Sequence, residues 1–299
     1  MMTRITRRDF TALAAVALLA RPALAQTGDA SLITRAVPST GERLPAVGLG
    51  TAYEYNSDDE QTRRAAAEVI RTLAAAGGRL VDTASSYGDA ESVFGNVIAA
   101  AGLGDKIFLA TKLEEADQAE LKRSLARLKM NKVDLLQFHN VRDPRQSLAQ
   151  FKAWKAQGLC RYTGITSTSH GAFAAIESVL AREKPDFVQI DYSLDDREAE
   201  KRILPLAAEV KAGVLTALPF GRGRLFRAVR GKAIPDWASA FAESWAQFFL
   251  KYLLADERVT AVIPGTSNPA HMTDNLGSMR GRLPDPDQRK RMVAFIDKL

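Results

Sequence analysis

The sequence predicts a parallel (β/α)8 barrel built as a single domain. Three observations predict it: eight short apolar or β-branched runs, amphipathic helical repeats between them, and no linker or composition shift that would divide the chain. A length of 299 residues suits one such barrel. The runs are LPAVGLGT (44–51), RLVDTA (79–84), KIFLATK (106–112), VDLLQFH (133–139), TGITS (163–167), DFVQIDYS (186–193), GVLTALP (213–219) and VTAVIPG (259–265).

The connecting helices are legible in turn. Ser57-Asp58-Asp59-Glu60 reads as a capping box, with the serine accepting from a backbone N–H and the glutamate reaching back. Ala66, Val69, Ile70 and Leu73 then recur on one helical face, and Gly77-Gly78 ends the helix. Leu121, Leu125 and Leu128 repeat the pattern, as do Phe241, Trp245, Phe248, Phe249 and Tyr252, a stripe that reads as core. The rival architecture is an open, doubly wound sheet. It calls for a glycine-rich turn after the first strand, and Gly48-Leu49-Gly50-Thr51-Ala52-Tyr53 lacks the third glycine.

Composition removes several function classes. Hydrophobic residues at 46% and charged residues at 25% describe a soluble globular chain rather than a disordered one. Of the formal net charge of +6, half lies in residues 1–25, where Arg4, Arg7, Arg8 and Arg21 oppose only Asp9. The rest is too weakly basic to indicate a nucleic-acid partner, and none is expected. The single cysteine, Cys160, allows no internal disulfide and no thiolate zinc cluster; it reads as a packed apolar residue. The three histidines, His139, His170 and His271, share no helical spacing, so no metal is expected.

In a barrel of this kind the site lies at the carboxyl ends of the strands. Asp82 closes the second run, Tyr87 follows in its loop, Lys112 ends the third and His139 ends the fourth. Singly, each has a bland reading: a loop cap, a solvated strand end, a satisfied core histidine. On three consecutive strand ends they form a carbonyl-reducing set. Tyr87 is the proton donor, Lys112 lowers its pKa, Asp82 supports the ammonium, and a neutral His139 orients the carbonyl oxygen.

VDTASSYG (81–88), the lysine of ATK (110–112) and the histidine of LLQFH (135–139) resemble the catalytic tetrad of the aldo/keto reductases. RAVPSTGERLPAVGLGT (35–51) resembles that family's opening hairpin and first strand, and the likeness runs from about Leu44 to Asn275. The resemblance implies a nicotinamide cofactor lying across the barrel mouth, NADPH (NADP) more often than NADH, with NAD not excluded. It implies reduction of an aldehyde or ketone to an alcohol, a small-molecule carbonyl substrate and a monomer.

The family's cofactor positions fall on Thr166 and Ser167, Gln189, Pro219 and Gly221, and on Gly265, Ser267, His271, Asp274 and Asn275 in IPGTSNPAHMTDN (263–275). Thr166-Ser167 stands where the family has Ser-Asn. Ala217 stands where a stacking tyrosine is usual. His271, only conditionally basic, stands where a permanently basic residue is common. Arg222 and Arg224 follow the seventh run and are candidates for the pyrophosphate.

Residues 1–25 read as an address rather than as structure. Thr6-Arg7-Arg8-Asp9-Phe10 precedes an apolar run of ten residues, 11–20, too short to span a bilayer, and Ala23-Leu24-Ala25 offers a cleavage site before Gln26. The segment resembles a bacterial twin-arginine (Tat) export signal, which implies the Tat machinery as partner, periplasmic localisation, and a protein exported already folded around its cofactor. A retained membrane anchor or a buried helix is the alternative for this segment. The mature domain is then 26–299, with no membrane span. Export away from the cytoplasmic NADPH supply also opens a competing expectation: a cofactor-bound redox-sensing or binding module with little turnover.

Overall fold

The structure, a computed structural model, describes residues 31–299; the expected address at residues 1–25 lies outside the described residues. An antiparallel hairpin, β1 (Thr34–Ala36) and β2 (Arg43–Pro45), leads into an eight-stranded parallel sheet. Its strands are β3 (Leu49–Gly50), β4 (Leu80–Asp82), β5 (Phe108–Leu113), β6 (Val133–Phe138), β7 (Cys160–Ser167), β8 (Phe187–Asp191), β9 (Gly213–Ala217) and β10 (Val259–Val262), paired in chain order. The sheet closes on itself. Gly48 N donates to the Val262 carbonyl at 2.9 Å, and Gly50 N to the Pro264 carbonyl at 3.0 Å. Each of the eight runs read from the sequence supplies one barrel strand, so the fold is a (β/α)8 barrel.

The first run is divided. The hairpin takes its beginning and only two residues remain for β3. Gly48 lies at the crossover between them, where a Cβ would come within 2.8 Å of Leu80 Cγ. Only glycine lets the chain pass that close to the neighbouring strand.

The helices are α1 (Glu60–Ala75), α2 (Ala90–Ala100), α3 (Gln118–Arg127), α4 (Ala149–Ala156), α5 (Phe173–Glu183), α6 (Ile203–Val210), α7 (Arg224–Ala228), α8 (Trp245–Leu254), α9 (Pro269–Gly277) and α10 (Pro286–Ile296). The expected α1 face is the buried one, through Ala66, Val69, Ile70 and Leu73. Its cap differs from the expected box. Asp59, not Ser57, accepts from Thr62 N at 2.8 Å, and Ser57 Oγ donates to Asp59 Oδ2 at 2.9 Å. A carboxylate two residues nearer the helix wins the capping role, and the serine holds it in place.

Strand alternation splits the core into two compartments. Inside the barrel, Leu80, Phe108, Leu135, Tyr162, Phe187 and Leu215 pack with Val37 and Leu44 from the hairpin segment. Outside, Val81, Leu109, Leu136, Val188 and Val214 meet the helices. Apolar side chains therefore fill the amino-terminal part of the barrel, and the inward positions above them are free for chemistry.

Candidate active site at the carboxyl end of the barrel

Along β5 the side chains alternate strictly. Phe108, Ala110 and Lys112 point inward, while Leu109 and Leu113 point to the helices. Thr111 points outward as well, donating to the fully buried Glu91 of α2 at 2.7 Å. The same period puts Leu80 and Asp82 of β4 inside, and Leu135 and Gln137 of β6 with His139 just beyond. An inward lysine is thus lifted above a floor of leucine and phenylalanine, where a charge survives only with partners.

It has them. Lys112 Nζ, 1% exposed, donates to Asp82 Oδ2 at 2.6 Å and to the Thr83 carbonyl at 2.7 Å. Burial alone would strip its charge, but Asp82 and Tyr87 outweigh that and raise its pKa above the ordinary lysine value. The ammonium lies 5.0 Å from the centre of the Tyr87 ring. The Tyr87 and His139 rings meet edge to face, 5.6 Å between centroids. Tyr87 is held by a tight turn in which its N–H donates to the Ala84 carbonyl. Gly88 completes the turn at φ +52°, where a Cβ would strike the Asn56 carbonyl oxygen at 2.6 Å.

The four expected catalytic residues are therefore brought together, with one correction to their electrostatics. Burial pushes the Tyr87 phenol above its ordinary value, and Lys112, the strongest opposing influence, only partly restores it. The phenol stays protonated across the neutral range. A phenolate formed at Tyr87 would have the Lys112 ammonium beside it.

Two neighbours were not anticipated. Gln137 donates to Gln189 Oε1 at 2.7 Å and to Asp82 Oδ1 at 3.3 Å, and Gln189 donates to Asp82 Oδ2 at 3.1 Å. Gly164 of β7 leaves room for it, since a Cβ there would lie 2.9 Å from Gln137 Cγ. Glu114, two residues beyond Lys112, accepts from Ser86 Oγ at 2.6 Å and pairs with His139 Nδ1. In both cases the signal was the alternation itself: Gln137 shares the face of His139, and Glu114 that of Lys112.

Asp82, Ser86, Tyr87, His139 and Gln189 line an open cleft of about 630 Å3. Its walls carry Asp82, Tyr87, His139, Thr166, Gln189, Pro219 and Gly265. The Thr166 hydroxyl makes no hydrogen bond among the described residues. Ala217 lines the wall, so the cleft is wide at that point. Arg222 also lines it and reaches the Tyr53 hydroxyl at 3.4 Å, whereas Arg224 is committed to Asp195 at 2.8 Å.

The remaining expected cofactor residues stand off the cleft wall. Ser167 is buried and accepts from Ser169 N at 3.2 Å. Gly221 faces Asp195 at φ +56°. Ser267 donates to Glu54 at 2.7 Å, and Glu54 does line the cleft. His271 is exposed on α9 and Asn275 is buried in it. Asp274 accepts from Ser244 Oγ at 2.7 Å and from Gln247 Nε2 at 2.9 Å, which ties α9 to the start of α8. For His271, Asp274 and Asn275 the structural reason is shared. After β10 the chain turns into a helix, and helical spacing sends successive side chains away from the mouth.

A closed barrel with a tyrosine, a buried lysine–aspartate pair and a histidine at its mouth matches one family. The aldo/keto reductase family model matches residues 46–296, and the chain belongs to that family. It is 31% identical over 267 residues to an aldo-keto reductase of Mycolicibacterium smegmatis, covering 84% of this chain and 87% of the relative. It is 27% identical over 267 residues to methylglyoxal reductase YeaE of Escherichia coli, covering 85% and 90%. Among solved structures, an aldo-keto reductase of Klebsiella pneumoniae in complex with NADPH superposes with a TM-score of 0.76 at 23% identity, covering 89% of this chain and 96% of that one.

Proposed function

We propose that the protein reduces an aldehyde or ketone to the alcohol with NADPH, and that it does so in the periplasm after twin-arginine export. The observation that carries the chemistry is the Lys112–Asp82 pair, buried beneath Tyr87 and beside His139 at the floor of the cleft.

The cleft suits a nicotinamide dinucleotide. Thr166 presents an unshared hydroxyl beside Gln189, as a carboxamide requires, and Arg222 offers a cation on the wall. Asn268 caps α9 by accepting from Ala270 N, and the positive end of that helix follows directly on the segment from Gly265 to Ser267. Bound there, the reduced nicotinamide would supply the hydride. Tyr87 then gives its proton to the carbonyl oxygen, and Lys112 stabilises the phenolate that results. Asp82 keeps Lys112 charged and in place, and Gln137 and Gln189 hold Asp82. His139 positions the oxygen beside Tyr87.

The relatives support this reading: one is a methylglyoxal reductase, and another is an aldo-keto reductase in complex with NADPH. The test is NADPH consumption by purified protein against a panel of simple aldehydes and ketones. Turnover is expected. Tight NADPH binding with no turnover on any carbonyl would instead favour the redox-sensing or binding module. For export, replacing Arg7 and Arg8 together by lysine is expected to leave the precursor in the cytoplasm, since a receptor reads the pair rather than its charge. Normal processing of that variant in the periplasm would overturn the route.

A further inference from the structure

Of the two ring nitrogens of His139, Nδ1 is the one in hydrogen-bond contact with Glu114 Oε1. The same oxygen already accepts from Ser86 Oγ at 2.6 Å. Ser86 Oγ is 3.4 Å from Nδ1, a far weaker alternative for the ring. An ionised carboxylate only accepts, so the hydrogen in this contact belongs to Nδ1. A neutral imidazole has one N–H and one lone pair; with the hydrogen on Nδ1, Nε2 is left as an acceptor. A substrate carbonyl also only accepts. The neutral ring in this arrangement therefore offers a carbonyl oxygen nothing to bind.

We propose that Glu114 is a positioning residue that fixes the proton of His139 on Nδ1, so that the ring donates to a substrate carbonyl only as the imidazolium and in its neutral form accepts from an alcohol. The part concerning substrate rests on the carbonyl-reductase reading; the part concerning the proton does not.

The groups facing the ring come from several elements. Asp82 lies on β4, Ser86 and Tyr87 in the loop after it, Lys112 on β5 and Glu114 just beyond β5. Lys112 and Asp82 form a close ion pair, and Glu114 makes no salt bridge other than that to His139 among the described residues. Burial and Lys112 depress the histidine, Glu114 and Asp82 oppose them, and the net direction is below the ordinary value. Glu114 itself is held below its ordinary value: partial burial raises it, but hydrogen bonds from Ser86 and His139 prevail. The same contacts favour the charged form of the carboxylate. Carbonyl reduction is expected to strengthen as pH falls through the range in which the ring titrates, and alcohol oxidation with NADP to strengthen as it rises.

The sequence makes the proton directly observable, because it has three histidines. NMR of isotopically labelled histidine in the full chain reads the protonation of each ring nitrogen, and His170→Gln and His271→Gln assign the signals by elimination. Above its titration, wild-type His139 is expected to be protonated on Nδ1. Glu114→Ala should move the hydrogen wholly or partly to Nε2. Glu114→Gln keeps an accepting oxygen but loses the charge; it should retain the Nδ1 form and move the titration, and with it the pH limb of carbonyl reduction, down by roughly half a unit or more. If Glu114→Ala fails to fold, the Glu114→Gln midpoint decides alone. Wild-type His139 protonated on Nε2, or an unmoved midpoint in Glu114→Gln, would overturn the proposal. An enzyme silent on every carbonyl but with these NMR results would count against the carbonyl-reductase reading and leave the proton assignment standing.

Discussion

On the β4–β6 side of the cleft, side chains hold one another: Lys112 on Asp82, Asp82 on Gln137 and Gln189, His139 on Glu114. On the far side, after β10, the cleft wall is Gly265, and the polar side chains that follow are paired elsewhere or exposed: Ser267 with Glu54, Asp274 with Ser244 and Gln247, His271 in solvent. The difference follows from strand and helix geometry. Strand ends aim alternate side chains into the barrel, so charge placed there must be matched within the protein. A helix start presents backbone N–H groups, which serve an anionic ligand without committing side chains in advance.

The largest effect that sharpens this contrast is expected from Lys112→Met. It leaves Asp82 buried without its cation, at a cost of about 3–5 kcal/mol, and removes the stabiliser of the Tyr87 phenolate, so both thermal stability and carbonyl turnover should fall steeply. Denaturant melts alongside rates would show it; an unaltered melt would mean that Asp82 does not depend on Lys112. Next in size is Gln137→Leu. Removing the amide that links Asp82 and Gln189 should cost about 1–3 kcal/mol and lower kcat more than NADPH affinity. A fall in affinity alone would place Gln137 in cofactor binding instead.

Asp274→Ala tests the other side. Its hydrogen bonds make it a helix tie, so the variant should lose about 1–2 kcal/mol of stability and change NADPH affinity little. Weakened NADPH binding with an unchanged melt would break the comparison and return Asp274 to the cofactor clamp.

The smallest effect is expected at Asp191, in the β8 end of the barrel, whose carboxyl burial and the nearby Asp196 push up to about 6. A raised carboxyl pKa means that ionisation costs the folded state. The cost is absent below the unfolded value, near 4, grows between there and pH 6, and is fully present above it. Asp191→Asn should thus gain about 1 kcal/mol at pH 8, after allowance for its partial exposure, and nothing at pH 4. A melt that gains equally at both pH values would show that the effect is not ionisation.

The barrel was legible because eight strands and their helices carry two distinct hydrophobic periods, and the tetrad because Asp82, Lys112 and His139 each stand within one residue of a strand's end. The α1 cap was misplaced because Ser57, Asp58 and Asp59 are all competent caps, and only packing selects Asp59. Glu114 and Gln137 lay in plain view on the inward period but stood beside residues with a more obvious chemistry. The clamp was the least legible. Its positions came from resemblance alone, and a helical segment gives no alternation from which to read which side chains face the mouth. The direction of the Tyr87 shift could not be read from the chain, because it depends on how deeply the ring is buried, and burial proved stronger than the nearby ammonium.

Central to the account is Tyr87 as the proton donor supported by Lys112, and the most direct test is Tyr87→Phe, alone and combined with Lys112→Met. The single change removes only a hydroxyl, so the fold and NADPH binding by fluorescence should be retained, while carbonyl reduction falls by ~10²–10⁴-fold. The double variant should reduce carbonyls little worse than either single, because both act on one proton transfer. Tyr87→Phe that binds NADPH and reduces aldehydes at the parent rate would contradict the assignment.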